Sequence, residues 1–209
     1  MRIFAICLLA SLAFGEQSRV SQHGAHRMEI TLERYESGSW KAIDPALVLD
    51  KNDKIRFKFK ANFPGYLYVT NQSTSATSSL LFPRQDTGAN NRIFANREYV
   101  VPTTKGAFRV DGPAGYDVVA WMVSPVEFGR PQAPPTPSMP PASMTPRCDD
   151  TIFKARGECL DTSAGPQAAA KMNEKAEDLV FIRDKDASVI TSPTPLKAPL
   201  VYEFHLAHR

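Results

Sequence analysis

The sequence has little of what marks several specialised classes of protein. Its 25 Lys and Arg against 22 Asp and Glu give a net charge of only +3, and no basic run is present, which argues against a nucleic-acid surface. A mean hydropathy of −0.28 excludes a polytopic membrane protein. Long amphipathic helical patterns are absent as well. A 43% hydrophobic content excludes wholesale disorder, so these 209 residues predict a globular protein with short elements.

The N-terminus has the pattern of a secretory signal peptide. Arg2 precedes an apolar stretch over residues 3–14, and polar residues follow from Glu16. Twelve residues are too few to span a bilayer, although a retained anchor or a buried N-terminal helix is the alternative interpretation. We expect residues 1–15 to be removed by cleavage between Gly15 and Glu16. The mature chain would then be periplasmic or extracellular, with no transmembrane segment.

Cysteine is scarce, and the pattern of its use favours a structural disulfide. Removal of the signal peptide removes Cys7 and leaves Cys148 and Cys159. In an oxidising compartment this pair is expected to form a local disulfide, which contributes about 3 kcal/mol in the chain-entropy model. The alternatives are a zinc site and a redox pair, and both lack the usual Cys-x-x-Cys spacing.

Short segments with alternating hydrophobicity follow one another through the first 124 residues. The clearest alternation is Lys54–Ala61, which directs Ile55, Phe57 and Phe59 to one face and cationic residues to the other. Residues 117–124 form a nearly continuous apolar run, which predicts a strand buried on both faces. The pattern predicts an all-β, mainly antiparallel protein: a single β-sandwich, Ig-like in general architecture, with strands near 28–35, 54–61, 66–70, 79–82, 97–101, 107–111 and 117–124.

The second half of the chain interrupts this rhythm and then resumes it. Seven prolines in residues 129–147 predict a mobile Pro-rich loop, which leads into a disulfide loop over residues 148–164. One short helix is predicted over residues 167–177, because Ala, Lys and Glu predominate there. Strands at 179–182 and 200–206 would close the sandwich. We therefore expect a polar leader at 16–27 and one sandwich domain over 28–209 that contains both loops as insertions.

A series of short motifs runs through the middle of the chain: Gly65–Val69, Leu80–Pro83, Asn91, Pro102, Phe108 and Gly112–Gly115. This series resembles a bacterial family, the domain of unknown function numbered 4384. The resemblance covers about residues 40–125 and implies a β-rich module found in exported proteins or appended to protein kinase and caspase-like domains. An accessory or sensing role is thereby implied, and no catalytic residues are carried over. The residues from Pro125 onward lie outside the resemblance.

Two groups of residues are candidates for a metal site, and each has a plainer interpretation. Four histidines near the chain ends would form a zinc or copper site only if the termini meet; otherwise they belong to a polar leader and an edge strand. Four acidic residues around the cysteine loop suggest calcium but lack the order of a known calcium loop, and a solvated turn explains them. The two groups are His23, His26, His205 and His208, and Asp149, Asp150, Glu158 and Asp161.

Aromatic residues are the candidates for a binding surface. Trp40, Tyr66, Tyr68 and Tyr116 have side chains of the kind that contact carbohydrates and peptides. Tyr66 and Tyr68 share one face of their strand, and the alternation leaves open whether that face or the opposite one is the core. Trp121 is a further aromatic candidate, and for aromatic stripes of this kind core packing is the more common role.

The chemistry-bearing motifs of known enzymes are missing from the chain. No Gly-x-Ser-x-Gly or Ser-x-x-Lys motif occurs, and the glycines do not form a phosphate loop. We expect a non-catalytic exported module, without a cofactor, that binds a cell-envelope protein or polymer. One alternative is an envelope hydrolase or metal-dependent enzyme, which requires titratable side chains converging in a pocket. Another is a structural component of an envelope assembly.

Overall fold

A computed structural model of the chain describes residues 26–75, 77–128, 145–168, 180–184, 187–192 and 199–209. The predicted signal peptide, His23, nearly all of the Pro-rich loop and residues 169–177 of the predicted helix lie outside these ranges. The elements of the described part are β1 His26–Glu36, β2 Ser39–Ala42, β3 Lys54–Ala61, β4 Gly65–Gln72, β5 Ser78–Phe82, β6 Arg92–Ile93, β7 Glu98–Val101, β8 Phe108–Arg109, β9 Gly115–Ser124, α1 Asp150–Arg156, β10 Gly165–Ala168, β11 Val180–Asp184, β12 Ala187–Ser192 and β13 Leu200–His208.

The strands form two antiparallel sheets that pack against each other, which confirms the predicted all-β sandwich. The first sheet has the order β11-β12-β1-β3-β7, with β2 beside β1 and β8 beside β3. The second has the order β10-β13-β9-β4-β5, with β6 beside β4. Strands from both sides of the Pro-rich segment share each sheet, since β12 pairs with β1 and β13 pairs with β9.

The core lies between the sheets and is centred on an aromatic cluster. Phe57 and Phe59 of β3 face Trp121 of β9, as the alternation over residues 54–61 predicts. The Trp121 ring stacks on Phe59 at 5.7 Å and on Tyr202 at 6.5 Å between ring centroids. Removal of a buried side chain of this size typically costs about 3–5 kcal/mol. β9 is buried on both faces, also as predicted.

The final strand is central, so the expectation that His205 and His208 lie on an edge strand is wrong. β13 is paired on one side with β9 and on the other with β10. The prediction of an edge strand is wrong because β10, Gly165–Ala168, pairs with β13. Part of β10 belongs to a segment whose composition favours a helix, so the sequence predicts no strand there. Tertiary pairing overrides that local preference. At the end of β13, beyond β10, the His208 side chain is only 3% exposed, and Leu49 bridges to this residue.

The first strand begins earlier than predicted, inside the expected polar leader. His26 and Arg27 are the first two residues of β1. The His26 ring packs edge-on against Phe63 at 4.7 Å, and the Arg27 amide donates a 2.7 Å hydrogen bond to Asn62 Oδ1. These contacts extend the strand beyond the start at Met28 that periodicity indicates.

The described helix is α1, and it lies in the disulfide loop. The prediction of a helix from residue 167 is wrong for Gln167, which lies in β10 and pairs with Glu203 of β13. α1 has local signals that explain it: Asp149 accepts hydrogen bonds from two first-turn amides, and Gly157 ends the helix with φ +72°. The predicted disulfide between Cys148 and Cys159 brackets the helix, with the Cα atoms 4.7 Å apart.

Candidate functional site

A partly open cavity of about 220 Å³ lies between the two sheets at one end of the sandwich. β3 and β9 begin there, and β4 and β13 end there. We call it the end cleft. It is the kind of concave, mixed-polarity surface on which ligand sites are usually built. Its lining residues are Leu49, Ile55, Phe57, Asn71, Ser79, Leu81, Phe108, Arg109, Val110, Asp111, Asp117, Val119, Leu206 and His208.

The floor of the end cleft is apolar because it continues the core. Ile55 and Phe57 contribute the inner face of β3, and Val119 and Leu206 contribute the facing strands of the second sheet. Phe108 of β8 packs against this cluster and is only partly buried. An apolar group in the end cleft would therefore contact core side chains directly and be removed from water.

A β-bulge brings Leu81 into the end cleft. Val69 lies opposite Phe82, and Thr70 lies opposite Leu80, so that Leu81 is an extra residue in β5. Such a bulge changes the direction of the side chains on one strand and is common next to functional sites. Because of it, Leu81 lines the end cleft although the adjacent Phe82 is also turned inward, into the core.

Polar side chains at core-facing positions form the wall of the end cleft. Asn71 follows Leu67 and Val69 on the inner side of β4, and its Oδ1 atom is buried without a hydrogen-bond partner. A buried acceptor in this state costs folding free energy unless a ligand or water satisfies it. Asn71 is therefore the clearest sign that the end cleft is built to receive a hydrogen-bond donor.

Asp117 and His208 lie side by side in the same wall. Asp117 Oδ1 accepts a 3.1 Å hydrogen bond from the Thr74 amide and lies 3.6 Å from His208 Nε2. Thr74 Oγ1 donates to the Tyr116 carbonyl at 3.0 Å and lies 3.4 Å from the same His208 nitrogen. Because the Thr74 hydroxyl proton is directed at the Tyr116 carbonyl, Thr74 Oγ1 is oriented toward His208 Nε2 as an acceptor.

The mouth of the end cleft has charged residues that lack partners. Arg109 and Asp111 are exposed, and neither side chain makes a hydrogen bond or ion pair within the described part of the chain. Together with Asp117, they give the rim two carboxylates and one guanidinium. A ligand that brings positive charge is thus favoured over one that brings negative charge.

On the opposite side of β9, Tyr116 connects the sandwich to the disulfide loop. It is only 3% exposed, and its hydroxyl donates to Asp161 Oδ2, so its expected place in a binding surface is wrong. Burial and the hydrogen bond to Asp161 raise the pKa of Tyr116 to about 12. Burial opposes ionisation of Asp161, but hydrogen bonds from Tyr116 and from the amides of Arg147 and Ser163 keep its pKa below the usual 3.8.

The other aromatic candidates do not converge. Tyr66 and Tyr68 point to the outer face of the second sheet, and Leu67 and Val69 form the core, which resolves the open question about this strand. Tyr68 is only 6% exposed, and its hydroxyl accepts a 2.8 Å hydrogen bond from the Phe128 amide.

Trp40 belongs to the first sheet, away from both tyrosines. It is half-buried, with the Arg56 guanidinium carbon 4.4 Å from its ring centroid and the Tyr35 ring packed against its edge. The four predicted surface aromatics therefore lie in three separate places on the molecule.

The described histidines also stay apart. His26 packs on Phe63 after β3 ends, whereas His208 lies in the end cleft beside the start of β3. His205 points to the other face of β13, with Nε2 3.5 Å from Glu203. Within the described ranges, no group of three or more His, Cys, Asp or Glu side chains has the geometry of a metal site.

The acidic residues of the calcium candidate have separate places as well. Asp149 caps α1 with its carboxylate, and Asp161 accepts from Tyr116. Asp150 lies in the first turn of α1, and it is exposed to solvent like Glu158. Helix capping and loop anchoring account for the two carboxylates that have partners.

Sequence reasoning missed Asn71 and Asp117 as site residues. A signal was present, because each is a polar residue at the end of an otherwise inward-facing apolar series: Leu67, Val69, Asn71 on β4, and Asp117, Val119, Trp121 on β9. Polar residues at such positions are exceptions to the burial rule and indicate a site or a paired cluster.

Comparison with known families supports the resemblance found in the sequence. Residues 48–127 match the model of a domain of unknown function, DUF4384. The matched stretch supplies every residue that lines the end cleft except Leu206 and His208. No curated protein and no solved structure matches the chain. In the part of the chain described, no helix combines the length and hydrophobicity needed to cross a bilayer.

Proposed function

We propose that this chain, whose central residues match a domain of unknown function, is an exported non-catalytic β-sandwich module that binds a cell-envelope protein or polymer. The observation that carries the proposal is the end cleft, which combines an apolar floor with the unpartnered acceptor Asn71 Oδ1. Such a combination gives affinity through the floor and specificity through a few polar groups. The predicted signal peptide supports the location.

The end cleft is a better contact site than the neighbouring sheet edge. β5 ends the second sheet, and an exposed edge would otherwise accept an added strand. However, two carbonyl groups of β5 already have partners from the loop that follows it. Thr87 Oγ1 donates to the Leu81 carbonyl at 2.6 Å, and Arg84 Nη1 donates to the Leu80 carbonyl at 3.3 Å. Strand addition at β5 would have to displace both contacts.

One observation favours the alternative of an envelope hydrolase: Ser79, Asp117 and His208 all line the end cleft. Hydrolysis through these residues needs an imidazole nitrogen that accepts the serine proton. His208 Nε2 instead lies 3.4 Å from Thr74 Oγ1 and 3.6 Å from Asp117 Oδ1, and within the described residues no hydrogen bond links Ser79 to His208. These contacts support binding over catalysis.

A matched pair of variants tests the proposal. Ser79 lines the end cleft, whereas the adjacent Ser78 is exposed and does not. We would immobilise residues 16–209 as the wild type, Ser79→Trp and Ser78→Trp, and identify the envelope components each recovers. Wild type and Ser78→Trp are expected to recover the same partner stoichiometrically. Ser79→Trp should lose about tenfold or more of it, since the indole fills the end cleft.

Two outcomes would contradict the proposal. Equal recovery of the partner by Ser79→Trp would remove the end cleft from the interface, provided that the melting temperatures of the two variants match. Turnover of a model ester, amide or glycoside by the wild type, abolished in His208→Ala and in Ser79→Ala, would establish the hydrolase instead.

A further inference from the structure

We propose that the end cleft holds its partner through a primary ammonium group carried on an apolar stem or ring. This inference rests on the proposed binding function and specifies its ligand. The argument proceeds from the size of the end cleft to its acceptors and then to its charge.

The size of the end cleft limits the occupant to one compact group. Its volume of about 220 Å³ is smaller than a drug-sized pocket of roughly 300–1,000 Å³. Phe57 and Phe108 form part of its floor, and their rings lie 6.3 Å apart between centroids. A single aliphatic stem or aromatic ring would be accommodated on this floor and would exclude water from it.

Two acceptor atoms of the wall have no hydrogen-bond donor in the described part of the chain. Asn71 Oδ1 is buried and has no partner. Asp117 uses Oδ1 on the Thr74 amide and on His208, whereas Oδ2 receives no hydrogen bond from the described residues. A primary ammonium has three N–H donors and no acceptor, so it complements these atoms without leaving any of its own groups unpaired. A carboxylate has only acceptors and would form no hydrogen bond with either of these two atoms.

The charges of the rim favour the same ligand. Asp111 and Asp117 provide two carboxylates against the one guanidinium of Arg109. Arg109 is exposed and points a positive charge at the mouth, so its removal is expected to strengthen binding of a cation. Hydrogen bonds between an ammonium and a carboxylate are among the stronger ones in proteins, particularly beside an apolar floor.

Three probes with the same phenethyl stem and different head groups test this inference on residues 16–209: phenethylamine, 2-phenylethanol and 3-phenylpropionate. Binding is followed at neutral pH through backbone amide NMR shifts of β4, β9 and β13. Phenethylamine should bind at least about tenfold more tightly than 2-phenylethanol, with 3-phenylpropionate the weakest. Asp117→Asn should reduce this preference to about threefold or less, and Arg109→Gln should strengthen phenethylamine binding.

Glu98→Gln is the matched control, because Glu98 is an exposed carboxylate opposite Lys60, at the far end of β3 from Ile55. It should leave all three affinities unchanged. Equal affinities for the three probes, a preference for 3-phenylpropionate, or a preference unaffected by Asp117→Asn would overturn the ammonium inference. If no probe shifts the amides while Ser79→Trp still abolishes partner recovery, the ammonium inference fails and the binding function stands. If Ser79→Trp recovers the partner normally, the binding function itself fails.

Discussion

Tyr116 and Asp117 are neighbours at the start of β9, but the polar groups around them are arranged in opposite ways. Tyr116 points outward to what we call the loop anchor, which comprises Tyr116, Asp161 and the disulfide of Cys148 and Cys159. There the Asp161 carboxylate accepts from the Tyr116 hydroxyl and from two backbone amides. Asp117 points inward to the end cleft, where Asn71 Oδ1 has no donor.

The difference between these two regions separates structural from functional polarity. A buried polar cluster whose members all have partners stabilises a fold and positions a loop. A buried acceptor without a partner costs free energy, which a ligand that donates a hydrogen bond to it would offset. The comparison therefore predicts that polar-to-apolar changes lower stability at the loop anchor and raise it at the end cleft, which the following experiments test.

The largest effect is expected from Asp161→Ala. This change leaves the buried Tyr116 hydroxyl and the amides of Arg147 and Ser163 without an acceptor, and each lost partner typically costs about 1–3 kcal/mol. We expect the free energy of unfolding, measured by urea denaturation, to fall by about 3–4 kcal/mol. Asp150→Ala, at an exposed carboxylate of α1, should cost about 0.5 kcal/mol. A loss below about 1 kcal/mol for Asp161→Ala would contradict the assigned role of the loop anchor.

Removal of the disulfide should have the next largest effect. The double variant Cys148→Ser, Cys159→Ser releases a loop with a sequence separation of 11 residues, and the chain-entropy model predicts a loss of about 3 kcal/mol. Phenethylamine affinity should stay within about twofold of the wild type, because neither cysteine lines the end cleft. Weakened ligand binding in a still-folded variant would show that the two regions are coupled.

The pH dependence of stability distinguishes the loop anchor in another way. The pKa of Tyr116 is raised to about 12 in the folded protein from its ordinary 10.0, so its contribution is fully present below pH 10 and is lost as pH rises toward 12. Tyr116→Phe should lower stability by about 1–2 kcal/mol at neutral pH. It should also make the alkaline decline shallower by up to about 1.4 kcal/mol per pH unit. Tyr202 contributes equally to both proteins, because burial raises its pKa as well.

The acid side provides a check with the opposite sign. Hydrogen bonds keep the pKa of Asp161 below 3.8, so the stability it contributes is present above that value and is lost as pH falls further. Tyr116→Phe removes one of these hydrogen bonds and should make the acid decline shallower. An unchanged acid limb would indicate that the two backbone amides alone hold the carboxylate ionised.

The sequence predicts most of the fold, because the determining patterns are local. The alternation over Lys54–Ala61 identifies the inner residues of β3, and the apolar run at 117–124 identifies a strand buried on both faces. The cap at Asp149 and the stop at Gly157 are also local signals, although α1 was not predicted. At Gln167 the composition predicts a helix, and this prediction is wrong because pairing with β13 determines the structure there.

The end cleft was harder to predict because it depends on pairing between distant residues. The inward direction of Asn71 follows only once Leu67 and Val69 are known to face the core. Leu81 lines the end cleft because of a bulge in the pairing of β4 with β5, which no single segment specifies. At the end of β13, His208 lies opposite Leu49, which is distant in the sequence and belongs to none of the strands. These features depend on pairing between residues that are distant in the sequence, so the alternation of polar and apolar residues within one strand does not predict them.

The smallest change in the free energy of unfolding is expected at Asn71, and it is an increase where the other variants give a decrease. Asn71→Leu removes the unpartnered acceptor and adds apolar surface beside Val119 and Leu206, while the β4 backbone pairing stays intact. We expect the free energy of unfolding to rise by up to about 1 kcal/mol, since an apolar side chain in a central strand is favoured over an unpaired amide. Phenethylamine binding should fall about tenfold or more in the same variant, because its ammonium loses one acceptor.

Measured side by side in urea, Asn71→Leu and Tyr116→Phe form the decisive pair. Asn71→Leu removes an amide from the core side of β4, and Tyr116→Phe removes a hydroxyl from the loop side of the adjacent strand β9. The two changes differ in whether the removed group has a hydrogen-bond partner. A rise for the first and a fall for the second would support the division into a functional and a structural cluster. If Asn71→Leu instead lowers stability by 1–2 kcal/mol, about the cost of a lost hydrogen bond, a bound water already satisfies Asn71 Oδ1, and the end cleft loses its strongest indication of a ligand.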